Sequence, residues 1–126
     1  MKTLKKITAL VLTALAVLCV SCSSNKIRDI EVELPDLTNK TDGTYHGEHS
    51  ISGTPVKVAL DVVLRNRVLT SINITRHACS PIGKKAEGII EVILEHQSLD
   101  VDVVSGATAS SKAILKAVES ALKAET

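Results

Sequence analysis

The strongest constraint in this 126-residue chain is a change in hydrophobic period. Val56, Val58, Leu60, Val62 and Leu64 alternate with Lys57, Ala59, Asp61 and Val63, the spacing of a strand with one buried face. Arg65-Asn66-Arg67 interrupts the run, and Asn66 tolerates the left-handed backbone that a tight hairpin requires. Val68, Thr70, Ile72 and Ile74 then resume the alternation. A more polar strand is predicted over residues 44–51, set apart from the hairpin by Ser52-Gly53-Thr54-Pro55. Beyond Pro81 and Gly83 the period lengthens. Ala86, Ile89, Ile90, Ile93 and Leu94 fall at helical spacing, with Lys85, Glu87, Glu91 and Glu95 mostly on the other face. A second stripe, Ile114, Leu115, Val118, Ala121 and Leu122, leaves Lys112, Lys116, Glu119 and Lys123 outside. Between the helices, Val101, Val103 and Val104 read as a short strand. Each helix has one apolar stripe and the sheet needs one cover. The expected fold class is therefore α+β, a small antiparallel sheet of three to four strands with two amphipathic helices packed on one face.

A chain of this length has room for one small domain. Its apolar residues are almost all aliphatic, with a single Tyr and no Phe or Trp. Aromatic stacking on single-stranded nucleic acid is thereby disfavoured. Of its 15 Lys and Arg residues, Lys2, Lys5 and Lys6 lie in the first 21 positions, which hold no acid. The remainder is slightly acidic and offers no basic footprint, so no nucleic-acid partner is expected.

Those first residues have a separate logic. Three lysines precede residues 7–20, which are uncharged and mostly apolar, and Ser21-Cys22-Ser23-Ser24 follows. A charged start, a short apolar core and a small-residue exit describe an export signal, and the apolar run is short for a permanent membrane span. Leu18-Cys19-Val20-Ser21-Cys22 resembles the lipobox of bacterial lipoproteins, which implies lipidation of Cys22. The predicted organisation is a lipoprotein signal peptide over residues 1–21, a tether over 22–41 and a folded domain over 42–126. The tether is polar and contains Pro35. Ile30, Val32 and Leu34 alternate with Glu31 and Glu33, but Pro35 cuts that run short as a strand. Cys79 is left as the one unmodified thiol, so packing must supply stability.

The chemistry is concentrated in Asp102-Val103-Val104-Ser105-Gly106-Ala107-Thr108-Ala109-Ser110, where the strand gives way to the second helix. A helix N-terminus offers unpaired N–H groups and the positive end of a dipole. Gly106 permits close backbone approach, and Ser105, Thr108 and Ser110 add hydroxyls. A phosphate would be well received there. A glycine turn with a Ser or Thr N-cap explains the same residues without a ligand.

The run resembles the flavinylation motif of the FMN-binding domain family, Asp-x-x-Ser/Thr-Gly-Ala-Thr. Its last Thr is esterified to the phosphate of FMN, and Thr108 matches that acceptor. Asp42-Gly43-Thr44-Tyr45-His46-Gly47 is similar to the family's opening turn, and Gln97-Ser98-Leu99-Asp100-Val101-Asp102 to its lead-in. The resemblance covers about residues 42–125. It implies covalent FMN on Thr108, installed by a separate magnesium-dependent FAD:protein FMN transferase. Asp102 would serve as a recognition or metal-proximal residue for that enzyme, and Ser105, Gly106 and Ala107 would shape the turn, with Ser110 beside them. The domain also occurs in flavin subunits of sodium-pumping NADH:quinone reductase, from which this minimal chain departs.

Other residue clusters are weaker. His77-Ala78-Cys79 and His46-Gly47-Glu48-His49 lack the paired cysteine spacing of a closed zinc site, and no metal is expected. No nucleophile-elbow pattern supports a hydrolase built from Ser105, His77 and Asp102. Tyr45 reads as a strand residue half in the core. The expectation is an electron carrier with no catalytic residues of its own, exported and lipid-anchored on the cell membrane or outer membrane, serving membrane or extracytoplasmic redox partners. The alternative is a surface-anchored module that binds FMN or another phosphate ligand non-covalently.

Overall fold

The computed structural model describes residues 30–124. The predicted signal peptide, Cys22 and the first part of the tether lie outside the described residues. Three strands, β1 (Gly43–Ser50), β2 (Lys57–Arg65) and β3 (Val68–Ala78), form one antiparallel sheet in the order β1-β2-β3. A 3-10 turn, Gly83–Gly88, leads into helix α1, Ile89–His96, and the long helix α2 spans Thr108–Lys123. Helix α2 packs across β1 and β2 while α1 reaches β3. The α+β class and the one-sided layering agree with the sequence pattern. No helix among the described residues is long and apolar enough to cross a membrane.

Strand β2 forms the centre of the core. Val58, Leu60, Val62 and Leu64 are at most 2% exposed, as strict alternation requires. Asn66 and Arg67 both have positive φ, 52° and 63°, so the hairpin is a two-residue turn of the mirror-image type that matches strand twist. The Asn66 N–H donates to Asp42 Oδ1 at 2.7 Å, which ties the start of β1 to this turn. On β3 the expected inward set is not the observed one: Val68 is 45% exposed and Thr70 is exposed, while Leu69 is buried. Register shifts place one extra β3 residue at each of two positions, so Leu69, Ile72, Ile74 and His77 oppose Leu64, Val62, Leu60 and Val58. The bulges keep Leu69, Ile72 and Ile74 on the sheet's inner face although the linear alternation is broken.

Helix α2 reaches the sheet through small residues. Ala113, Ala117 and Ala121, four residues apart on one face, are fully buried. Opposite them lies Gly47, where a Cβ would stand 2.1 Å from the Ala117 carbonyl oxygen. Helix and strand backbones therefore meet at that point with no side chain between them.

Two further departures have clear causes. The first predicted helix is divided, because residues 83–88 form the tighter turn before α1 begins. The predicted strand at Val101, Val103 and Val104 does not form. The Val104 N–H donates to the Ser111 hydroxyl, and its carbonyl accepts from Ala107 in a turn, so this backbone is engaged elsewhere. The tether from residue 30 onward lies on the domain: Ile30, Val32, Leu34 and Leu37 pack against the core. Lys112 Nζ donates to the Ile30 carbonyl at 2.7 Å, and Lys40 Nζ to that of Ala124. This strap thus follows the outer side of α2 over most of its length.

Strap burial corrects another expectation. Glu119, predicted on the exposed face, is 3% exposed. Lys116 Nζ contacts it at 2.6 Å, and Lys123 reaches its other oxygen. Burial pushes this carboxyl upward, but the hydrogen bonds and positive charges of the two lysines together hold it below the ordinary carboxylate range.

Candidate functional site

The turn before α2 is built by backbone geometry. Gly106 has φ +80°, a conformation that favours glycine, and the Ala107 N–H donates to the Val104 carbonyl at 2.9 Å. Ser111, fully buried, joins this turn to the helix. Its hydroxyl donates to the Ala107 carbonyl at 2.9 Å and accepts the Val104 N–H at 3.0 Å. Sequence reasoning passed over Ser111, although a serine four residues beyond a turn residue has the spacing for such a back-bond.

The N-cap of α2 is Ala107, 4% exposed and without a side-chain cap. A Ser or Thr N-cap therefore does not explain the polar residues here. The first intrahelical bond runs from the Ser111 N–H to the Ala107 carbonyl, so the amides of Thr108, Ala109 and Ser110 have no acceptor within the helix. Thr108 is the first helical residue and half-buried. Among the described residues, nothing hydrogen-bonds its hydroxyl. A nucleophilic oxygen, uncapped first-turn amides and the positive end of a 16-residue helix together fit the phosphate of FMN.

The remaining candidates divide between surface and interior. Ser105 and Gly106 are exposed on the turn, and Asp102 is exposed in a shallow cleft with Val92, His96, Asp100 and Val101. Ser110 is turned inward at 2% exposure, against the loop that carries Gly83 and Cys79. A Cβ on Gly83 would lie 2.7 Å from Ser110 Oγ and 2.9 Å from Cys79 Cβ, so this loop fits closely over the first turn of α2. A larger cleft, about 670 Å3, lies between the strap and the outer side of α2 from Lys112 to Lys123, with Leu99, Asp100, Val101 and Val103 completing its wall. Tyr45 is buried, deeper than half in the core, and its hydroxyl donates to the Thr41 carbonyl at 2.7 Å.

The histidines do not converge. His46 and His49 occupy opposite faces of β1, and His46 Nδ1 pairs with Asp61 at 2.7 Å on the outer face. His77 Nδ1 meets Glu87 Oε1 at 2.8 Å. Among the described residues, no group of three or more His, Cys, Asp or Glu side chains is placed to hold a metal ion.

A family model for the FMN-binding domain matches residues 17–123. The chain belongs to that family. The match includes the strap, both helices and the turn that presents Thr108. An uncharacterized protein of Treponema pallidum (strain Nichols) is similar, 38% identical over 84 residues that make up 65% of this chain and 23% of the relative. The chain thus spans about a quarter of that relative's length. For an FMN-binding domain, the N-terminus of α2 is the place where the sequence motif and the open amides coincide.

Proposed function

We propose that this FMN-binding domain is an exported, lipid-anchored electron carrier, anchored through Cys22 and carrying FMN as a phosphoester on Thr108. The observation that carries the reading is the alanine-capped start of α2, which leaves first-turn amides without intrahelical acceptors beside the Thr108 hydroxyl. An alanine N-cap forgoes about 1 kcal/mol relative to Ser or Thr. A bound phosphate would restore hydrogen bonds and charge complementarity at that end. Flavin when attached supplies redox chemistry, while the protein supplies placement and environment.

Attachment requires a separate FAD:protein FMN transferase. Thr108 Oγ1 attacks the phosphorus of the FMN half of FAD, forming the new O–P bond. The pyrophosphate P–O bond breaks, AMP departs with the electron pair, and the hydroxyl proton passes to a base of the transferase. Exposure of Ser105 and Gly106 leaves the turn accessible to such an enzyme, with Asp102 as a recognition residue beside it. A covalent link suits an extracytoplasmic protein, because a dissociated cofactor would be diluted away instead of rebinding by mass action.

Co-expression with the transferase, followed by intact mass and peptide mapping, tests this reading. Flavin mass should map to the Thr108 peptide and vanish in Thr108→Ala, whose melting temperature should stay near that of the parent. Thr108→Ser, which keeps the oxygen, should retain some label. Flavin on another residue, or full labelling of Thr108→Ala, would overturn the assignment. Flavin released on denaturation would instead select non-covalent binding.

A further inference from the structure

Two independent features lie at the Thr108 end of the domain, and both concern a membrane. The first is the point at which the chain joins the body. Ile30 is held to α2 by the 2.7 Å hydrogen bond from Lys112. Lys112 follows Thr108 by four residues and so shares its helix face about one turn away. The strap then leads away from this end, toward Lys40 and its contact with Ala124. Residues 30–40 are docked on the domain, and seven residues lie between Cys22 and Ile30, eight Cα–Cα steps in all. Fully extended, they reach about 28 Å, comparable to the diameter of a domain this size.

The second feature is the surface of the loop over the first turn of α2. Ile82 is 56% exposed, the most exposed large hydrophobic residue among those described, and Lys84 and Lys85 beside it are also exposed. Ile82 Cγ2 lies 3.8 Å from where a Cβ on Gly106 would stand, so this apolar tip adjoins the turn that precedes Thr108. The acids of this end are Asp100 and Asp102, exposed upstream of the turn and away from the Gly83 loop in sequence, Glu31 beside Ile30 on the strap, and Glu87, which follows Lys85 and is engaged with His77. An apolar side chain flanked by lysines suits the interface of an anionic bilayer, where each lysine contributes about 1 kcal/mol.

We propose that the Thr108 end of the domain is its membrane-facing end, held there by the docked strap and by Ile82, Lys84 and Lys85. This inference rests on the proposed anchor at Cys22 and flavin at Thr108. The partner it fits is one seated in the same bilayer, since the cofactor would face the headgroups and not the surrounding medium.

The test uses full-length lipidated, flavinylated protein in phosphatidylglycerol-containing vesicles that carry a headgroup dye able to accept energy from flavin. The comparison is Cys22→Ser protein held on the same vesicles by a C-terminal histidine tag and chelating lipid. The 16-residue α2 separates the two attachment points by roughly 24 Å. Transfer from flavin to dye should be at least twofold more efficient with the N-terminal anchor. It should fall when Lys84→Glu and Lys85→Glu are introduced together. Equal transfer from the two anchors, or transfer indifferent to the lysine changes, overturns the proposal. Flavin mass on Thr108 and detergent-dependent extraction are measured on the same samples, so loss of either one identifies failure of the underlying reading instead.

Discussion

Gly47→Ala adds one methyl group at the closest approach of strand and helix. Its carbon would lie 2.1 Å from the Ala117 carbonyl oxygen and 2.7 Å from both the backbone nitrogen and Cβ of Ala121. Nonbonded carbon contacts are comfortable near 3.5–4.0 Å, so α2 and β1 must separate by more than about 1 Å. The obstruction is helix backbone, which has no rotamer to yield. Separation would also loosen the packing of Ala113, Ala117 and Ala121. Overpacking of this kind costs about 1–3 kcal/mol, occasionally more, and replacing glycine returns roughly 0.4–1 kcal/mol through the unfolded chain. A net loss of about 2–3 kcal/mol is expected because the contact is severe, against a total stability of roughly 5–15 kcal/mol. At about 4–8 °C per kcal/mol, thermal unfolding followed by circular dichroism should show the midpoint falling by roughly 8–24 °C. Gly43→Ala is the internal control: nothing lies within 4 Å of its added carbon, and the midpoint should barely move. If the two variants melt alike, the helix does not rest on Gly47 and the packing argument is wrong.

Ser111→Ala should remove the link between the turn and α2, strand the Val104 N–H and cost about 1–3 kcal/mol. Flavinylation by the transferase should slow at Thr108 without moving to another residue, and unchanged labelling kinetics would show that the link does not hold the acceptor in place. Deleting residues 23–41 should lower the melting temperature, because Ile30, Val32, Leu34 and Leu37 pack against the core; an unchanged midpoint would restore that segment to a plain tether. Acid should erode stability in two stages. Burial first, then the Lys116 charge, pushes the His49 imidazole below its ordinary value of 6.5, against an upward pull from Glu119. Below 6.5 the unfolded chain then binds the proton more readily, so stability is full above that pH and declines as pH falls toward the lowered folded value. Glu119, held below 4.5, adds a second loss as pH falls beneath 4.5 and through its lowered folded value. Denaturant titrations across pH should show His49→Gln flattening the upper stage and Glu119→Gln the lower.

Where burial follows one local period, the sequence is a good guide to this fold. Strand β2 and the aliphatic stripe of α2 are examples, since each position's exposure repeats with its own element's geometry. Predictions break down where a second segment intervenes. The two bulges in β3 turn Leu69 inward and leave Val68 and Thr70 outside, and they depend on pairing with β2 across the hairpin. Glu119 is at an outer helical position by spacing, yet it is buried with lysines on both sides. Val101, Val103 and Val104 have the composition of a strand, but Ser111 takes the Val104 N–H.

The motif around Thr108 separates along the same line. Gly106 is required by its φ of +80°. Ala107 is 4% exposed at the N-cap, where a larger side chain would have to displace its neighbours. Ser110 is likewise committed inward against the Gly83 loop. Those three positions have structural reasons that would hold in the absence of any ligand. Asp102 and Ser105 are exposed, and Thr108 presents a hydroxyl without a protein partner among the described residues. On the proposed reading a role in attachment falls to these three side chains, and their substitutions should affect labelling far more than melting. Ser105→Ala should lower the extent of modification at Thr108, read by intact mass after a fixed exposure to transferase and FAD. Ser110→Val should act in the opposite sense, disturbing the fold through Gly83 and Cys79 before it alters the chemistry. If Ser105→Ala destabilises the domain as much as Ser110→Val does, the division of the motif into scaffold and acceptor face fails.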